Sequence, residues 1–99
     1  MSPDTSEENR VRAELLISGR VQGVFFRSNT RRRANSLGIE GYVRNRSDGR
    51  VEAVFEGKEK DVKKLVTWCY EGPSSARVES VDLEWYEPTG EFSGFSVRY

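Results

Sequence analysis

The chain has 99 residues, 35 % apolar with nine glycines besides, enough for one hydrophobic core and too few for two. Sixteen basic and sixteen acidic side chains cancel, so no overall field draws in nucleic acid or an anionic membrane. The absence of histidine and the single Cys69 exclude Ser-His-Asp and Cys-His catalysis, His-ligated zinc and an internal disulfide.

The lone thiol fits a reducing cytoplasm, and no apolar run approaches the roughly 20 residues needed to span a bilayer. Residues 1–9 carry Asp4, Glu7 and Glu8 with no base and no apolar stretch, and read as a disordered acidic tail ahead of one domain over residues 10–99. The charge is segregated. Residues 10–50 hold ten arginines and no lysine against Glu14, Glu40 and Asp48, whereas residues 51–99 carry four more acids than bases. Arginine without lysine suits bidentate recognition of phosphate or carboxylate, although most of these arginines read as a solvated helix face.

In chain order, VRAELLIS (residues 11–18) places Ala13, Leu15 and Ile17 on one face at period two, a half-buried strand ended by Gly19. FFRSNTRRRANSLG then sets Phe26, Thr30, Ala34 and Leu37 at helical intervals, with Gly38 placed to close the helix and Arg31, Arg32 and Arg33 in water. IEGYVRN and RVEAVFEG alternate on either side of Arg46-Ser47-Asp48-Gly49, a hairpin signal. Val62, Leu65, Val66 and Cys69 make an amphipathic helix stopped by Gly72-Pro73. VESVDLEWY alternates through Val81, Leu83 and Trp85; Val78 is out of phase and predicts a bulge. After Pro88-Thr89-Gly90, a last strand puts Phe95, Val97 and Tyr99 on one face. Two helices cover five strands economically when both lie on one face of a mainly antiparallel sheet, which is an α+β, ferredoxin-like α/β sandwich in βαββαββ order.

Chemistry concentrates where the first strand hands over to the first helix, at GRVQGVFFR (residues 19–27). Gly19 and Gly23 permit positive φ, so that N–H groups can converge on an anion at the helix N-terminus. Arg27 falls in the first helical turn, where a cation opposes the dipole unless an anion sits nearby. The loop matches neither a Walker A motif nor G-x-G-x-x-G, and on pattern alone a turn with a solvated Arg reads as well as an anion site. A strand-helix-strand crossover makes the first two strands run the same way, which brings Asn45 to the same sheet edge as the loop. Local turn bonding is the competing account of this Asn.

A cradle of N–H groups plus a guanidinium supplies most of what phosphoryl transfer needs, but no general acid. A carboxylate, whose acid has a pKa of about 4, departs unprotonated, so an acyl phosphate fits that lack; a pure binding site would lack the acid as well. The amide oxygen of Asn45 can hold a water for attack.

GRVQGVFFR, followed by YVRN and SDGRVEAVFEG, closely resembles the acylphosphatase family over roughly residues 12–99. The resemblance implies a ferredoxin-like fold and a small cytoplasmic hydrolase that cleaves the carboxyl-phosphate bond of acyl phosphates without metal or cofactor. It implies that Arg27 binds phosphate beside backbone N–H groups of Gln22, Gly23, Val24, Phe25, Phe26 and Arg27, and that Asn45 orients the attacking water. Thr30 matches a supporting hydroxyl, with a plain helix-face threonine as the alternative; Gly19 and Gly23 match the loop glycines and Gly49 the hairpin glycine. The expected partners are an acyl phosphate and, as product or competing ligand, inorganic phosphate, with no nucleic acid, no membrane and a monomeric chain. Tyr42 stands where Trp is common, a packing change. Arg44 and Arg46 flank Asn45 and either add positive potential or lie solvated. The run Arg31 to Arg33 has no family counterpart, and its most that can be expected is to steer anionic substrates at low salt.

Two other readings share part of this pattern. An RNA-recognition module has a similar element order but needs base-stacking aromatics on its central strands, where RVEAVFEG offers only Phe55. A non-catalytic domain that binds phosphate or another small anion would keep the cradle; intact Arg27 and Asn45 speak for the enzyme.

Overall fold

The structure, a computed structural model, describes residues 9–99. The expected acidic tail therefore lies, apart from Asn9, outside the described residues. The elements are β1 (Arg10–Arg20), α1 (Phe26–Leu37), β2 (Glu40–Asn45), β3 (Val51–Lys58), α2 (Glu59–Cys69), β4 (Arg77–Tyr86) and β5 (Phe95–Arg98). The strands form one sheet in the order β4-β1-β3-β2-β5, in which only the β2-β5 pairing is parallel.

Period-two burial drives the sheet onto the helices. Ala13, Leu15 and Ile17 of β1 and Val51, Ala53 and Phe55 of β3 are at most 1 % exposed, each large side chain worth roughly 1.5–3 kcal/mol of burial. The helices answer with Phe26, Thr30 and Ala34 on α1 and with Val62, Leu65, Val66 and Cys69 on α2. α1 lies over β2 and β5, and α2 over β1 and β3. Phe26 packs against Trp68 with ring centroids 5.3 Å apart, so the first residue of α1 joins the two helices and pins that helix end at the sheet's edge. β4 lies beyond both helices, which leaves Val81 and Leu83 half-buried and Trp85 44 % exposed.

The irregularity expected at Val78 is a register slip: Ser18 pairs with Ser80 but Gly19 with Val78, leaving Glu79 as the extra residue. Gly19 stands there because a Cβ would lie 2.2 Å from the Arg77 carbonyl oxygen and 2.8 Å from the Glu79 nitrogen. Its reason is strand packing.

On the sheet's other face, the connection from β4 to β5 is held down by Glu56, a side chain 1 % exposed. Its carboxylate accepts from the Arg12 guanidinium at 2.7 Å, the Thr89 N–H at 2.9 Å and the Gly90 N–H at 3.0 Å, and shares the Thr89 hydroxyl with Glu91. Burial alone would raise its pKa, but these donors outweigh it and hold the carboxyl down at about 2. Phe92 then packs on Tyr42, and the Gly41 N–H bonds Gly94 O at 3.0 Å, which delivers β5 to the edge of β2.

Candidate active site

Val21, just past β1, is buried, and the next residues turn into α1 through two left-handed positions, Gly23 at φ 73° and Phe25 at φ 66°. Val24 between them keeps a negative φ, and this alternation is the nest geometry that points successive N–H groups to one side. Among the described residues, no carbonyl or side-chain acceptor takes up the N–H groups from Gly23 to Arg27. Phe25 is the one non-glycine with positive φ among the described residues, at a cost of about 1–2 kcal/mol.

Bonds on three sides hold this loop. The Phe25 carbonyl accepts from the Asn29 N–H at 3.2 Å, the Asn29 side-chain amide at 2.9 Å and the Ser28 hydroxyl at 3.3 Å. The Val24 side chain is buried and its carbonyl accepts from the Ser75 hydroxyl at 2.9 Å. The Gln22 amide donates to Arg46 O at 2.8 Å and Arg50 O at 3.0 Å, clamping the loop to the turn that follows β2.

That clamp brings the loop to Asn45, the last residue of β2. Asn45 Oδ1 is buried and, among the described residues, is the only such side-chain atom without a hydrogen-bond partner. Asn45 and Arg27 line a single cleft of about 680 Å³. The Arg27 guanidinium is stacked on the Tyr99 ring, 4.8 Å from its centroid, and has no carboxylate partner among the described residues. With no acidic residue in the first turn of α1, the positive end of that helix adds to the same field. The cleft thus gathers free N–H donors and an unpaired guanidinium beside a residue whose buried acceptor has no partner among the described residues.

The remaining sequence-predicted residues divide. Thr30 is fully buried and its hydroxyl bonds back to Phe26 O at 2.8 Å, bracing the first turn of α1 from behind the cleft. Gly19 lies in β1 at the bulge, outside the cleft lining. Arg44 and Arg46 do not supply free positive charge: each is 3.1 Å from Glu52, which faces Arg44 across the β2-β3 pair. Tyr99, expected with Phe95 and Val97 on one strand face, follows the end of β5 and is 97 % exposed with its ring against Arg27. The roles of Ser75 and of the Gln22 side chain rest on long-range contacts that no local pattern signals.

Comparison with known proteins points to one family. A profile of the acylphosphatase family matches residues 13–97. The acylphosphatase of Pelotomaculum thermopropionicum is 54 % identical over 91 residues, covering 92 % of this chain and 99 % of that one. That of a Roseiflexus species is 60 % identical over 86 residues, covering 87 % and 92 %. The crystal structure of acylphosphatase from Bacillus subtilis superposes with a TM-score of 0.85 at 30 % identity, covering 90 % of this chain and 99 % of that one.

Proposed function

Because the chain belongs to the acylphosphatase family, whose activity is the hydrolysis of acyl phosphates, we propose that the nest and Arg27 hold the phosphoryl group while Asn45 holds the attacking water. The observation that carries this reading is the partnerless Asn45 Oδ1, a buried acceptor on a residue that lines the same cleft as Arg27. A water donating one hydrogen to that oxygen satisfies it and is fixed beside the phosphorus.

The water oxygen forms the new bond to phosphorus as the bond to the acyl oxygen breaks. The electron pair of that bond leaves on the carboxylate, and the water proton passes to a phosphate oxygen. The leaving carboxylate needs no acid because its conjugate acid has a pKa of about 4. Charge spreading over the phosphoryl oxygens meets the N–H groups of residues 22–27, the Arg27 guanidinium and the helix dipole, which are already oriented when substrate arrives. This machinery asks for no metal or organic cofactor.

The reading extends to setting. Cys69 is free and buried, in keeping with the cytoplasm, and among the described residues no helix is long and apolar enough to cross a membrane. Binding of RNA on the open sheet face is disfavoured because Tyr42 there is already packed against Phe92 and Arg98, with its hydroxyl bonded to Glu52, and offers no free ring for a base. A monomer completes both halves of the cleft from one chain.

Hydrolysis of benzoyl phosphate, followed by ultraviolet absorbance with a chelator present, tests the assignment. Arg27→Ala should raise KM and weaken inhibition by inorganic phosphate as well as lower kcat, since the guanidinium meets charge in ground and transition states alike. Asn45→Ala should lower kcat by about 10²–10³ with a smaller change in KM. An Asn45→Ala enzyme with undiminished kcat would remove the water-holding role. A wild-type chain that bound phosphate without turnover would be a binding domain.

A further inference from the structure

The run Arg31-Arg32-Arg33 divides around α1. Arg33 is stacked on Trp68, 4.6 Å from the ring centroid, and faces away from the cleft, whereas Arg31 and Arg32 line the cleft with Arg27. Arg31 lies one helical turn, about 5.4 Å, beyond Arg27 on the same face of the helix. Phosphate held between the nest and Asn45 leaves this stretch of the cleft for the acyl arm.

Arg10, Arg12, Arg44, Arg46 and Arg50 each have a carboxylate within 3.4 Å. Among the described residues Arg31 and Arg32 share the lack of a carboxylate partner with Arg20, Arg33, Arg77 and Arg98, and differ from those four in lining the cleft. Arg32 donates only to Asn29 Oδ1. Guanidinium groups at positions 27, 31 and 32 repel one another, and those nearest the helix N-terminus oppose its dipole. Both side chains are exposed, so packing does not select arginine there. Such a conflict with local stability, placed on the wall of a binding cleft, marks a ligand contact.

We propose that Arg31 and Arg32 bind a second anionic group at the far end of the acyl arm, so that this chain prefers acyl phosphates that are anionic at both ends. The inference rests on phosphate occupying the nest.

Succinyl phosphate and butyryl phosphate test it, because their acyl chains match in length and differ in the terminal carboxylate. The readout is the ratio of kcat/KM for the two at low salt. Two exposed ion pairs predict a preference for succinyl phosphate of roughly three- to tenfold. The double variant Arg31→Gln/Arg32→Gln should bring the ratio close to one, while Arg33→Gln, with a charge removed from the same helix but outside the cleft, should retain most of it. A wild-type ratio near one, or equal losses per charge in the Arg33 variant and the double variant, overturns the proposal, the latter by reducing it to a general field. Turnover of neither substrate would overturn the hydrolase reading and this one with it; turnover of both at equal efficiency overturns only the second-anion site.

Discussion

Replacing Glu56 by Gln removes the charge from the carboxylate that fastens the β4-β5 connection, at almost constant shape. Arg12 keeps Glu14 at 2.8 Å and Glu91 at 3.1 Å, so no guanidinium is stranded. The loss falls on the Thr89 and Gly90 N–H groups and on the charge-assisted bond to Arg12. Its size follows from linkage: a carboxyl lowered from the ordinary 4.5 to about 2 contributes on the order of 3 kcal/mol when ionised. Because the folded pKa lies below the unfolded one, that stability is fully present above about pH 4.5 and is lost as pH falls toward 2. Urea denaturation at pH 7, 5, 3.5 and 2.5 should therefore show Glu56→Gln less stable than wild type by about 3 kcal/mol at neutral pH, with the gap closing in acid. In thermal melts at pH 7 the difference corresponds to roughly 12–20 °C for a domain of this size. Carboxylates away from Arg12 titrate alike in both proteins, so the difference reports Glu56 together with the Glu14 and Glu91 that share Arg12 with it. A gap that stayed constant from pH 7 to 2.5 would refute the argument that its charge does the holding.

The two motif glycines should separate by assay. Gly19→Ala drives a Cβ into the Arg77 carbonyl and should cost about 2–3 kcal/mol or more in urea denaturation. Gly23→Ala, with no atom within 4 Å of its Cβ position, should cost only about 1–2 kcal/mol of left-handed strain but weaken phosphate affinity, measured by calorimetry. Gln22→Ala removes two bonds to the turn after β2 and should lower stability by about 1–2 kcal/mol. In benzoyl phosphate kinetics it should depress kcat more than KM, because the loop and Asn45 lose their common anchor.

Much of this arrangement is legible in the chain because burial has a period. The alternation in β1 and β3 and the stripes of α1 and α2 name the core, and the crossover through α1, which makes β1 and β2 run the same way, is enough to bring Asn45 toward the loop. What is illegible depends on segments distant in sequence. Glu56 reads as an outward residue of an alternating strand until residues 87–94 fold over it. Gly19 and Gly23 look equivalent in GRVQGVFFR, yet one answers to a bulge contributed by Glu79 and the other to the curvature of the nest. Arg44 and Arg46 look like free charge near Asn45 because nothing local announces that Glu52 will stand opposite.

The strand order also bears on how the protein comes into being. Arg27 lies just beyond β1 and Asn45 ends β2, and these two strands are not paired with each other: β3 lies between them and adds no side chain to the cleft. Two strand spacings set the ends of β1 and β2 about 10 Å apart, room for a phosphoryl group and a water between nest and amide. A nascent chain that has reached Asn45 already carries both proposed reacting contacts and still has no catalyst. Residues 51–58, made afterwards, must thread between two earlier strands to measure out the gap, so the spacing of the site is set by a segment that adds no side chain to it.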